Sequence, residues 1–220
     1  MPGFSPRYDV LPPPQRSLCS ELHQIPKHFV LYGGTAIALR LGHRVSLDFD
    51  FFTSQSFAPD RLLAQVPILA GAEILQNVNQ TLTVALDRKG RIKLSFFGNL
   101  HLGRVGQPEQ TQDGAIWVAS LLDLAGTKAA VITQRAEAKD YLDMLALFEQ
   151  GITLAQAMGA ARALYGEQYN PLMTLKSLAY FGDGDLHTLT PDQKTKLIDA
   201  ATQQALELAD IDRVSDNLLA

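Results

Sequence analysis

The segment from Leu31 to Thr53, LYGGTAIALRLGHRVSLDFDFFT, carries the feature that most restricts how this chain can fold. Its end, LDFDFF, reads as a strand destined for a core, yet it contains Asp48 and Asp50. An ionised carboxylate moved out of water loses its hydration, so acids do not enter such a run without compensation. Residues two apart on a strand face the same side. Asp48 and Asp50 therefore project together, and Leu47, Phe49 and Phe51 are expected on the opposite, core face. The pair has two readings. One is a strand whose polar face is wet. The other is a site for a hard divalent cation, because Mg²⁺ takes carboxylate oxygens and completes its shell with water or substrate phosphate. Calcium is chemically possible, but the chain has no EF-hand loop.

The residues just upstream bear on that choice. HFVLYGG reads as a strand over Phe29 to Tyr32 closed by Gly33 and Gly34, and TAIALRLG as a helix stopped by Gly42. Glycine allows close backbone approach, and a helix start offers unpaired N–H groups to an anion. Gly-Gly alone is only a tight turn. Joined to Asp-x-Asp on the next strand, it becomes an arrangement in which Gly33, Gly34 and Thr35 hold phosphates and the aspartates hold a bridging metal. The spacing is that of neither a Walker A loop nor a Gly-x-Gly-x-x-Gly dinucleotide turn.

Composition sets the outer bounds. The chain has 220 residues, 46% of them hydrophobic, enough for one large domain or two small ones. A net charge of −4 and a pI near 5.7 exclude a protein basic throughout, though not a local basic patch. The single cysteine, Cys19, excludes an internal disulfide framework and a cysteine-based zinc cluster, which fits a reducing, cytoplasmic location. The N-terminus lacks a signal pattern, and no apolar stretch approaches the roughly 20 residues a membrane span needs.

Along the chain, a proline-containing arm over residues 1–14 precedes a helix expected from Arg16 to His28. After VSLDFDFF come a helix over Asp60–Gln65 and the segment AEILQNVN, then TLTVALD and RIKLSFF as a β-hairpin turning through Gly90. AIWVA is a short strand; Ser120 heads a helix to about Gln134, and another helix runs from about Glu137 to Glu149. Thr153 and Thr190 each open a Thr-x-x-Gln capping box. The expected organisation is an arm (1–14), a mixed α/β core (15–119) and a helical region (120–220).

Lys128 sits in the apolar stripe of its helix with Leu121, Leu124, Ala125, Val131 and Ile132. It either reaches out to water along its stem or meets an anion. Asp140 and Asp143 are neighbours on one helix face, Asp140 at the border of the stripe and Asp143 further out. They are solvated acids, partners of Arg135 or Lys139, or site residues. Alternation on RIKLSFF places Lys93, Ser95 and Phe97 on one face, so Lys93 is a phosphate contact or a solvated lysine. Arg40, His43 and Arg44 bring positive charge near the aspartates, as a surface turn or as part of a nucleotide or RNA site.

Strand, Gly-Gly-Thr, helix, then Asp-x-Asp on the next strand resembles the nucleotidyltransferase fold related to DNA polymerase beta. GGTAIALRLGHRVSLDFDFF is similar, more closely, to the AbiEii/AbiGii toxin family of abortive-infection and toxin–antitoxin systems. LAGTKAAVITQRAEAKDYLDMLALF is similar to that family's Lys, then Arg, then Lys-Asp-x-x-Asp pattern. The resemblance covers residues 25 to 150 and implies an α/β (α+β) fold: a small mixed sheet followed by a helical region. It implies transfer of a nucleoside monophosphate from a nucleoside triphosphate, with Mg²⁺ or Mn²⁺, to an acceptor such as tRNA, and a cognate antitoxin. Asp48, Asp50, Lys128 and Asp140 would be catalytic, with Asp48 and Asp50 on the metal; Gly33, Gly34, Thr35, Arg44 and Lys93 would bind the nucleotide. One departure stands out. Ser95 occupies the strand position where many active relatives of this fold carry a third carboxylate, which leaves open an inactive nucleotide-binding or protein-interaction module.

Overall fold

In the computed structural model, which describes residues 3–203 and 208–219, the chain divides into two compact units. The first comprises the described residues up to Gly103, Gln107–Ser120 and those from Ser215 onward. The second comprises Arg104–Gly106 and Leu121–Val214. Residues 1, 2 and 220, the ends of the expected arm and helical region, and residues 204–207 lie outside the described residues.

The strands all belong to the first unit. They are β1 (Val30–Tyr32), β2 (Asp48–Phe52), β3 (Glu73–Val78), β4 (Thr81–Asp87), β5 (Arg91–Phe97), β6 (Glu109–Gln110) and β7 (Trp117–Val118). They form one mixed seven-stranded sheet in the order β3-β4-β5-β2-β1-β7-β6. β3, β4 and β5 make an antiparallel meander, β2 runs parallel to β5, and β1 is antiparallel to β2 and parallel to β7. The site-bearing strand thus lies in the interior of the sheet, where both neighbours fix its register.

Along β2, half-exposed and buried residues alternate: Asp48, Asp50 and Phe52 on one face, Phe49 and Phe51 on the other. Phe49 and Phe51 are fully buried; the ring of Phe51 lies 6.5 Å from that of Phe49 and 5.4 Å from that of Phe96 of β5. Leu47 departs from the expectation. It is 54% exposed, because β2 begins only at Asp48, where pairing with Lys93 starts. Outside the ladder the two-residue alternation has no hold on it.

The helices of this unit are α1 (Pro13–Leu18), α2 (Gly33–Leu41) and α3 (Pro59–Gln65). The helix expected from Arg16 starts earlier, at Pro13, and gives way to a 3-10 stretch over Cys19–Gln24. Proline at a first helical position loses no needed hydrogen bond and has φ preset, so the prolines of the arm begin this helix rather than prevent it. α2 ends as its sequence dictates, with Gly42 in the left-handed region at φ +69°.

The second unit is helical: α4 (Leu121–Val131), α5 (Ala138–Glu149), α6 (Leu154–Tyr165), α7 (Pro171–Ala179) and α8 (Pro191–Gln203). Both expected capping boxes form, at Thr153 with Gln156 and at Thr190 with Gln193. Gly126 lets α4 and α6 touch closely, since a Cβ there would lie 2.9 Å from the carbonyl carbon of Ala160. Among the described residues no helix is long and apolar enough to cross a membrane.

Candidate active site

In the first unit, β1 delivers the chain into Gly33, where α2 begins. The first N–H groups of a helix have no acceptor within it. Here Tyr32 at the N-cap supplies no side-chain cap, and no acidic residue occupies the first turn. The positive end of the helix dipole is therefore not neutralised by its own sequence. Gly33 has φ +71°, and a Cβ there would stand 2.9 Å from Asp50 Oδ2. The Asp50 carboxylate thus lies against the backbone at the start of α2, and glycine is the residue that leaves it room.

The register of β2 builds the rest. Asp50 is paired with Tyr32 of β1 on one side and Ser95 of β5 on the other. Asp48 is opposite Lys93, and Lys93 Nζ lies 3.0 Å from Asp48 Oδ2. Both side chains of that pair are about two-fifths exposed, at 42% and 41%. Ser95 is buried. Phe52 shares the face of the aspartates and stacks on Tyr32 with ring centroids 4.8 Å apart.

Thr35 stands differently from expectation. Its hydroxyl is buried, donates to the carbonyl of Asp48 and shares a hydrogen bond with the Ser46 hydroxyl at 2.8 Å. The side chain is spent on fixing the entry to β2, which leaves its backbone as the part an anion could meet. Ser46 is a residue the sequence reading passed over. It lies two before Asp48, ahead of β2, where strand alternation carries no signal for it. Arg40, weighed as a nucleic-acid contact, is structural: it bonds the carbonyls of Ala119 and Val118 and pairs with Glu109 at 2.8 Å. Arg44 is half-buried and donates to the carbonyl of Val45 at 2.9 Å.

The donor set suits a hard cation. Two carboxylates share one face, and among the described residues no group of three or more His, Cys, Asp or Glu side chains could enclose a metal. Carboxylate oxygens are ligands that a hard cation such as Mg²⁺ accepts.

In the second unit, Lys128, Asp140 and Asp143 come together. Lys128 Nζ lies 2.5 Å from Asp140 Oδ1 and 2.7 Å from Asp143 Oδ2. Arg135 adds a fork on Asp140, with Nε 2.8 Å from Oδ2 and Nη2 3.1 Å from Oδ1. Lys128 is 4% exposed and both aspartates are fully buried. The expectation that Asp143 faces outward is therefore corrected: a cation on the neighbouring helix α4 draws it inward. Burial alone would push the Asp140 carboxyl up, but the hydrogen bonds from Arg135 and the charge of Lys128 hold it below the usual carboxylate range. Asp185, which carried no sequence signal, accepts from the backbone N–H of Ala138 at 2.6 Å and satisfies the start of α5.

A mixed sheet that sets Asp-x-Asp beside a Gly-Gly helix start is that of a nucleotidyltransferase fold. The backbone agrees with the crystal structure of a “putative nucleotidyltransferase from H. pylori”, with a TM-score of 0.55 and 18% identity over 86% of this chain and 90% of that one. The chain belongs to the AbiEii nucleotidyl transferase toxin family of type IV toxin–antitoxin systems, whose family model matches residues 16–217. It is also 35% identical, over 158 residues, to the uncharacterized protein aq_aa25 of Aquifex aeolicus (strain VF5), covering 70% of this chain and 74% of that one.

Proposed function

We propose that this chain transfers a nucleoside monophosphate from a nucleoside triphosphate to a hydroxyl of an acceptor, with tRNA the favoured class. The observation that carries the reading is the Asp50 carboxylate lying against the Gly33 backbone at an uncapped helix start, with Asp48 on the same face. In this reading the acceptor oxygen attacks the α-phosphorus, the bond from that phosphorus to the bridging oxygen breaks, and pyrophosphate leaves with the electron pair. Asp48 and Asp50 would hold Mg²⁺, which when bound supplies charge stabilisation to the phosphates. The backbone of Gly33, Gly34 and Thr35 would receive phosphate oxygens, as helix starts do. Lys93 would contact phosphate, and Arg44 is retained as a nucleotide contact. Positioning and electrostatics carry most of such a reaction.

Lys128 has three N–H donors, and the two aspartates account for two of them. Its proposed part as a cation for the transferring group rests on the family's Lys, then Arg, then Lys-Asp-x-x-Asp pattern. Asp140 is a poor proton acceptor while Arg135 and Lys128 hold it ionised, so its proposed part is to orient Lys128. The acceptor proton then leaves to solvent.

The alternative reading, a nucleotide-binding or protein-interaction module without transfer, rests on Ser95 opposite Asp50, since serine is a weak base and ligand. Incubating the purified chain with each labelled nucleoside triphosphate, Mg²⁺ and total cellular RNA separates the two. Labelled RNA with the wild type and none with Asp50→Asn is the expected result. Nucleotide binding without labelling assigns the chain to the alternative. An antitoxin partner, which the family implies, is sought by co-expression with neighbouring open reading frames and relief of any growth defect.

A further inference from the structure

The proposed site contains a cation of its own. Lys93 Nζ stands 3.0 Å from Asp48 Oδ2, held there by the parallel pairing of β2 with β5 that sets the two residues opposite each other. Among the described residues Asp48 is the sole ion-pair partner of Lys93, so two of the three ammonium donors have no protein acceptor. Both partners are about two-fifths exposed, and an ion pair this wet is weak and exchangeable. One residue further along the same face, the position beside Asp50 holds neutral Ser95 rather than a third carboxylate. The face therefore offers a metal only two negative charges, and Lys93 offsets one of them.

Resting on the nucleotidyltransferase reading above, we propose that Lys93 is the resident counter-cation of Asp48 and gates metal uptake. A divalent cation arriving alone must displace the ammonium from Asp48 against like-charge repulsion. A divalent cation arriving with a polyphosphate meets no such barrier, because the phosphate oxygens take the spare donors of Lys93 and draw it off the carboxylate. The site then selects the metal–triphosphate complex over free metal.

The test titrates the full-length chain with Mn²⁺ alone, following the loss of the free-ion paramagnetic signal, with no nucleotide and no turnover. Lys93→Met keeps the stem and removes the charge. It is expected to tighten binding of Mn²⁺ alone about three- to tenfold, the size of a unit charge several ångströms from a divalent ion in a nearly aqueous dielectric. Lys93→Arg keeps the charge and is expected to bind as weakly as wild type. Adding inorganic triphosphate should tighten Mn²⁺ binding more in wild type than in Lys93→Met. Thermal unfolding of each variant establishes that it is folded, with Lys93→Gln as a second neutral variant. Unchanged or weaker Mn²⁺ binding in folded Lys93→Met and Lys93→Gln overturns the gating role and leaves the metal site standing. If wild type and Lys93→Met both bind Mn²⁺ no better than Asp48→Asn, the metal reading itself fails, and the gating role with it.

Discussion

At Gly33, φ is +71° and the nearest atom to a prospective side chain is Asp50 Oδ2, at 2.9 Å. Any Cβ here meets two obstacles at once, a left-handed backbone and a carboxylate. Gly33→Ala is expected to cost about 1–2 kcal/mol of stability from the backbone alone. It should also abolish RNA labelling by displacing Asp50, so the loss of activity would exceed what the fall in melting temperature explains. Lys128 makes a different residue-scale case. Removing its charge leaves Asp140 and Asp143 buried together, with Arg135 opposing Asp140. Lys128→Met is expected to destabilise by about 3–5 kcal/mol, read from the urea midpoint of unfolding. At this scale the aspartates of β2 were legible, because period-two spacing in a Phe-rich run leaves one geometry. The inward turn of Asp143 was not: its helix pattern describes one helix, and the attraction comes from a lysine on another.

α4 and α5 are joined by that ion cluster, so their association depends on pH. The Asp140 carboxyl is held below its ordinary range in the folded chain, so the unfolded chain binds the proton more readily. The cluster's contribution is therefore full above the unfolded carboxylate value, about pH 4, and is lost as the pH falls through and below it. Melting temperatures from pH 7 to pH 3 are expected to drop more steeply for wild type than for Asp140→Asn, which has no proton to gain there. Parallel slopes in the two proteins would assign the acid sensitivity to other groups. Where α4 meets α6 the constraint is steric. Gly126→Val places methyl groups into the backbone of Ala160 and Ala161, and is expected to cost about 1–3 kcal/mol as an overpacked contact, again read by urea unfolding. Local chemistry made many of these elements legible: Gly42 ends α2, and the Thr-x-x-Gln boxes start α6 and α8. It misled at α1, where prolines that look like an extended arm instead supply a helix start.

For the chain as a whole, connectivity was the least legible property, because nothing local marks a segment that leaves one unit for another. Arg104–Gly106 belongs to the second unit although Gly103 and Gln107, on either side of it, belong to the first. Within the second unit this short segment is held at both ends of its partner sequence. The backbone N–H groups of Val105 and Gly106 donate to the buried carboxylate of Asp123 at 2.8 and 3.1 Å, and Val214 donates to the carbonyl of Arg104 at 2.8 Å. A fragment cut at the apparent boundary, residues 121–214, would keep the helices and lose all three of these bonds. The Asp123 carboxylate would then lose two of its donors, at a cost of about 1–3 kcal/mol for each buried polar group left wanting. The fragment is expected to unfold at lower urea, and with lower cooperativity, than the same helices in the intact chain, followed by amide exchange across α4. Supplying residues 104–106 through a short linker to the fragment's N-terminus should recover part of the difference, whereas a linker of equal length with Val105 and Gly106 replaced by prolines, which have no N–H to donate, should not.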